Sequence, residues 1–169
     1  MIAGHGLRQL AVLAMVSMAP ACYSEVPLDL TPNMAVDPSL VGDWTCSSPI
    51  ESLAGRLKVK ALDRHRYALS WWKTGGARPE RMVAYASSVG GRTLFNVRLD
   101  PPQSSPYWDH PWFVAAVGLS SGALQIQVLA EGTISGTERS PEELRASLTQ
   151  ALGRSEILDQ RMTVCRRRK

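Results

Sequence analysis

The strongest chemical pattern in the sequence is Gly118-Leu119-Ser120-Ser121-Gly122, a Gly-x-Ser-x-Gly spacing. That spacing activates its serine when a strand feeds a sharp elbow and then a helix, with an acid and a base later in the chain. Here the flanking runs "WFVAAV" and "ALQIQV" are both strand-like, and no histidine follows His110. The five residues are therefore expected to form a hairpin turn. His65 sits in the turn-like "DRHR" and His110 in the proline-rich "DPPQSSPYWDHP", both expected to be solvated, and no Cys–His spacing suits zinc. The acidic residues are scattered, with Glu142 and Glu143 placed to cap a helix. No catalytic residue, metal ligand or cofactor is assigned, and the chain is expected to bind rather than to catalyse.

Cysteine count says more. There are three, Cys22, Cys46 and Cys165, and an odd cysteine in an exported chain needs a role. Export is indicated by "MIAGHGLRQLAVLAMVSMAPAC", with Arg8 as the positive element, an apolar run from Leu10 to Ala19, and Ala19-Pro20-Ala21. Those are the parts of a signal peptide over residues 1–21. The run falls short of the roughly 20 apolar residues of a membrane-spanning helix. Plain cleavage would leave a soluble secreted or periplasmic protein beginning at Cys22.

The alternative is a lipid anchor. A small residue immediately before a cysteine resembles the lipobox of bacterial lipoproteins, in which the cysteine sulfur is acylated before the signal is cut. A bridge between Cys46 and Cys165 would leave Cys22 over, so lipidation of Cys22 is favoured. Tyr23 rather than Asp after the cysteine implies, by resemblance to enterobacterial lipoproteins, the outer membrane, with the domain facing the periplasm or the exterior. Residues 22–39 lack hydrophobic periodicity and contain prolines, which reads as a tether. The 17 residues after Cys22 would span up to roughly 55 Å if fully extended.

Charge excludes one class of partner. Of 19 basic residues, Arg8 and the terminal Arg166, Arg167, Arg168 and Lys169 account for five, leaving 14 against 15 acidic residues. No basic stripe with interleaved aromatics appears, so nucleic acid is not expected. The basic tail reads as a solvated end, with contact to phosphates or anionic lipid as the alternative.

The elements that would position any site begin at Leu40, and residues 40–169 read as one domain. "RLKVKAL" places Leu57, Val59 and Ala61 on one face, and "YALSWWK" does the same for Tyr67, Leu69 and Trp71. "RMVAYASS" and "TLFNVRL" flank Gly90-Gly91, a tight-turn signal. "ALQIQVLA" alternates cleanly, whereas "WFVAAVGL" at 112–119 is apolar on both faces and needs an outer cover. "SPEELRASLTQALG" supplies a helix, with Ser140 as N-cap, Pro141 in the first turn, Glu143 completing a capping box and Gly153 at the end. Adding "LVGDWTC" at the start and "RMTVCRRRK" at the end gives eight candidate strands in a meander.

Such a meander removes its raw edges only by closing. The fold expected is all-β with one helix: an up-and-down antiparallel eight-stranded β-barrel, the helix packed outside before the last strand. Closure makes the first and last strands neighbours and brings Cys46 beside Cys165. One conflict remains, because alternation turns Cys46 inward with Trp44, while Met162 and Val164 look more inward-facing than Cys165. Either the helix covers Met162 and Val164 from outside, or a bulge shifts one strand.

"DPSLVGDWT" carries a resemblance: Asp37, Leu40, Gly42 and Trp44 resemble the opening Gly-x-Trp signature of lipocalins, and Gly-x-Trp-Thr resembles the first strand of avidin-like barrels, both calycins. The resemblance implies a floor in which Trp44 stacks against a late arginine, Arg166, Arg167 or Arg168. The chain also resembles bacterial envelope lipoproteins of its size. Eight-stranded barrels can hold one small ligand, here small and mainly apolar, with Trp44, Leu69, Trp71, Phe95 and Ile126 lining the lumen. Small residues, Ala61, Ala84 and Ala86, leave room between them, and Tyr107 and Trp108 of the 100–111 loop are candidates at the mouth. The alternative is a filled barrel acting as an interaction or structural protein through that loop. A monomer is expected.

Overall fold

The computed structural model describes residues 23–100, 112–130, 132–153 and 158–168, without the side chains of Asp159 and Gln160. Cys22, Tyr107, Trp108 and His110 lie outside these residues. A two-residue strand, β1 (Tyr23–Ser24), precedes β2 (Gly42–Ser47), β3 (Gly55–Ala61), β4 (Tyr67–Lys73), β5 (Glu80–Val89) and β6 (Arg92–Leu99). Then come β7 (Trp112–Ser120), β8 (Ala123–Leu129), the helix α1 (Pro141–Leu152) and β9 (Leu158–Arg167). Each strand from β2 to β9 pairs antiparallel with the next, and β9 returns to β2, closing an eight-stranded barrel.

Local chemistry explains the meander. The β5–β6 turn holds Gly90 and Gly91 at φ +54° and +77°, and the β7–β8 turn holds Ser121 and Gly122 at +51° and +75°. Two successive positive φ angles match the twist of the flanking strands, and glycine meets that demand at least cost. Along β3, Leu57 and Val59 point inward and are buried, while Arg56 and Lys58 point out. Ala61, expected to line the lumen, lies exposed at the strand's end.

The seam is a covalent one. Cys46 and Cys165 are register partners on β2 and β9 and form a disulfide across 119 residues. Both are buried, at 5% and 0% exposure, so Cys165 faces inward. Met162 and Val164 therefore point outward, half-buried, against Gln127 on β8 and against Ser47 and Gln125. The irregularity in β9 falls between Leu158 and Met162, ahead of the cysteine, and leaves the phase at the disulfide intact.

Two layers clothe part of the outside. Ser140 Oγ accepts the Glu143 amide at 3.2 Å, and Glu143 Oε2 accepts the amide of Arg139 at 2.7 Å, so α1 starts on a reciprocal cap. Its Leu144 and Leu148 are fully buried in a cluster with Val89, Leu94, Val114, Val128 and Leu129, from β5 to β8. Val114 of the doubly apolar β7 is among them, which gives that strand the outer cover its sequence demands.

The N-terminal segment forms the second layer around Leu28, and from Met34 to Leu40 it packs against the inner cluster. Leu28 is fully buried, and its amide donates to Asn96 Oδ1 at 2.8 Å. Tyr85 donates its hydroxyl to the Asp29 carbonyl at 2.6 Å, and Arg145 of α1 donates to Asp29 Oδ1 at 2.9 Å. Further on, Val36 bonds the Arg64 carbonyl and Asp37 donates its amide to Tyr67 Oη. The stretch read as a spacer is thus laid against the barrel from Tyr23 onward, because the wall supplies partners for its backbone.

Candidate functional site

The interior begins at its floor. Trp44 is 1% exposed, with its indole N–H donating to the Leu40 carbonyl at 3.0 Å. Of the three candidate arginines it is Arg167 that stacks on the ring, at 4.6 Å from the centroid. The same guanidinium donates to the carbonyls of Val41 at 3.0 Å and Ser39 at 2.8 Å, tying the last strand to the chain entering the first.

Next to the floor the lumen is filled with large groups. Tyr67, Trp71 and Phe95 are all buried, and the Tyr67 and Phe95 rings lie 5.5 Å apart. Burial raises the Tyr67 phenol above its ordinary pKa, so it stays neutral as acceptor for the Asp37 amide. Ala84 and Ala86 are buried in the same cluster.

Other inward apolar groups remain partly accessible. Leu69, Met82, Phe113, Val117 and Ile126 pack against the inner cluster without being fully buried. Leu69 and Met82 are direct cross-strand partners, as are Val117 and Ile126. Thr163, buried on the inner wall, has its hydroxyl engaged with Ser48 Oγ at 2.7 Å. Among the described residues the interior therefore offers apolar surface and no buried hydroxyl without a partner.

Measured against the sequence, Leu69 and Ile126 fall on this accessible surface, Trp71 and Phe95 in the packed part, and Trp44 in the floor. Met82, Phe113 and Val117 were missed. The two-sided apolarity of 112–119 concealed which side faced in, and Met82 follows directly on the polar Glu80-Arg81 pair. Ser120 ends β7, exposed, and Ser121-Gly122 makes the hairpin turn. His65 is half-buried rather than solvated, with Nδ1 hydrogen-bonded to the Met34 carbonyl at 3.1 Å. Among the described residues no group of three or more His, Cys, Asp or Glu is arranged to hold a metal ion, and no helix is long and apolar enough to cross a membrane. No protein-family model matches the chain, and neither a curated protein nor a solved structure is found similar to it.

Proposed function

We propose that this is an exported, lipid-anchored binding protein of the bacterial cell envelope, whose barrel takes a small, mainly apolar molecule into its interior. The observation that carries the reading is the partly accessible inward set Leu69, Met82, Phe113, Val117 and Ile126 inside a closed wall. An apolar ligand gains by covering that surface, whereas a polar one would lose its water for few partners. Gly42 and Trp44 on the first barrel strand, with Arg167 on Trp44, support a lipocalin-like reading. The Cys46–Cys165 bond leaves Cys22 as the third cysteine and supports its role as lipid acceptor. A location in the outer membrane and binding in place of catalysis belong to the same reading.

Native mass spectrometry of protein extracted from its own envelope tests both parts. An apolar molecule is expected to co-purify, and Cys22 is expected to carry acyl mass. Val117→Trp should expel the molecule while leaving the disulfide and circular dichroism unchanged. An interior that takes up neither a co-purifying molecule nor a fluorescent fatty acid would overturn the ligand reading, and an unmodified Cys22 the anchor. The second reading, a filled barrel working by its surfaces, is favoured by the burial of Trp44, Tyr67, Trp71 and Phe95, and the first of those failures would establish it.

A further inference from the structure

A different site lies on the outer wall. Alternation sends Asp43 and Thr45 of β2, Arg56, Lys58 and Lys60 of β3, Trp72 of β4 and Arg166 of β9 outward, with Arg168 following. Five of these are cations and one is an acid. Asp43 receives Arg56 at 2.9 Å and Lys58 at 3.7 Å. The hydrogen bond from Arg56 holds its carboxyl below the usual range, with Lys58 and Arg168 adding to the pull. One carboxylate thus stands against a group of cations that outnumbers it.

Four of these residues, Thr45, Arg56, Trp72 and Arg168, line a depression of about 350 Å³ together with Lys73 and Thr74. The Arg56 guanidinium lies 4.8 Å over the Trp72 ring, and its Nε is buried with no hydrogen-bond partner. Lys73 is paired with Glu80 at 3.1 Å and Thr74 donates to the Ala54 carbonyl at 3.2 Å, which leaves Arg168, the Thr45 hydroxyl and the donors of Arg56 beyond its bond to Asp43 as the recognising set.

We infer that this depression binds a phosphate group carried on a small organic headgroup. Donors line it from β2, from β3 and from Arg168 just after β9, and three separate sources suit a tetrahedral group with three outward oxygens better than a planar carboxylate. The depression is larger than a phosphate ion, and the remaining space beside Trp72 suits the carbons of a glycerol or sugar. A soluble phosphate ester and a membrane lipid headgroup share this chemistry. The site does not depend on the lumen, since Trp72 is on the opposite side of the wall.

The test is a titration of ¹⁵N-labelled full-length protein at low salt, reading the Trp72 indole resonance, assigned with Trp72→Phe. Glycerol 3-phosphate and monomeric dihexanoylphosphatidylglycerol are added separately, with acetate as the carboxylate control. A saturable shift is expected with the phosphates, about tenfold weaker in Arg168→Gln, the loss of one charge-assisted contact. Tighter binding of the lipid would identify a membrane headgroup, and equal binding a soluble ester; either supports the site. No saturable shift with either phosphate, a shift undiminished in Arg168→Gln, or an equal response to acetate would overturn it.

Discussion

The two outer sides of this barrel are built on different principles. Over β5 to β8, α1 and the N-terminal segment bury Leu28, Val89, Leu94, Leu144 and Leu148 in a second core. Over β2, β3 and the end of β9 the outward residues are charged and accessible, and they meet through ion pairs such as Arg56–Asp43, with 40% and 34% of the side chains exposed. Exposed pairs of that kind contribute little to stability, whereas buried leucines contribute much. The clad side therefore holds the fold, and the bare side is left to tolerate change or to bind.

Several substitutions probe that division. The seam joins one side to the other, so replacing Cys46 and Cys165 together by Ala should have the largest effect, about 4 kcal/mol in urea unfolding. On the clad side Leu148→Ala should cost about 3 kcal/mol, while Lys58→Ala on the bare side should stay within about 0.5 kcal/mol. Comparable losses for the two would end the distinction. Asn96→Ala removes the acceptor of the Leu28 amide and the donor to Ser87 Oγ. It should cost about 1–2 kcal/mol and expose residues 23–36 to limited proteolysis; full protease resistance would show that the remaining ties, from β7, Tyr85 and Arg145, hold the segment without it. Arg167→Gln should cost about 1 kcal/mol, seen as a lower urea midpoint.

The effects of pH have opposite signs on the two sides. Tyr85, beneath the N-terminal segment, is pushed up to about 12 by burial, against an ordinary value of 10.0. Its stabilising contribution is complete below pH 10 and is lost as pH rises through 12, which ultraviolet titration of the phenol should follow. Asp43 on the bare side is lowered, so its contribution is present above its ordinary 3.8 and is lost as pH falls through the depressed value. Carboxylate chemical shifts would report that titration. Base should loosen the clad side and acid the bare one.

Most of the wall was legible because alternation and turn chemistry are local. Leu57 and Val59, the Gly90-Gly91 turn and the Ser140 cap each follow from a few neighbouring residues, and the disulfide follows from closure. The second layer was not legible. Leu28 is one apolar residue in a proline-containing stretch without period, and Asn96 reads as the wet face of a strand although it is fully buried. Burial of both is decided by a partner some 68 positions away in sequence. The candidate lumen was half legible, since Leu69 and Ile126 alternate visibly while Val117 lies in a run apolar on both faces. The phosphate depression required register, because Thr45, Arg56 and Trp72 become neighbours only through strand pairing.

The bond between Arg167 and the Val41 carbonyl spans 126 positions. Contacts of such separation must wait for the whole intervening chain, and loop closure makes them late. The wall between β2 and β8 can be laid down as hairpins while the polypeptide emerges, but floor and seam need Cys165 and Arg167. A chain lacking those residues would present β2 and β8 as open edges, the feature that invites aggregation. The final strand thus acts as a proof of completeness: until it arrives, the molecule is a curled sheet, and its arrival turns a sheet into a vessel.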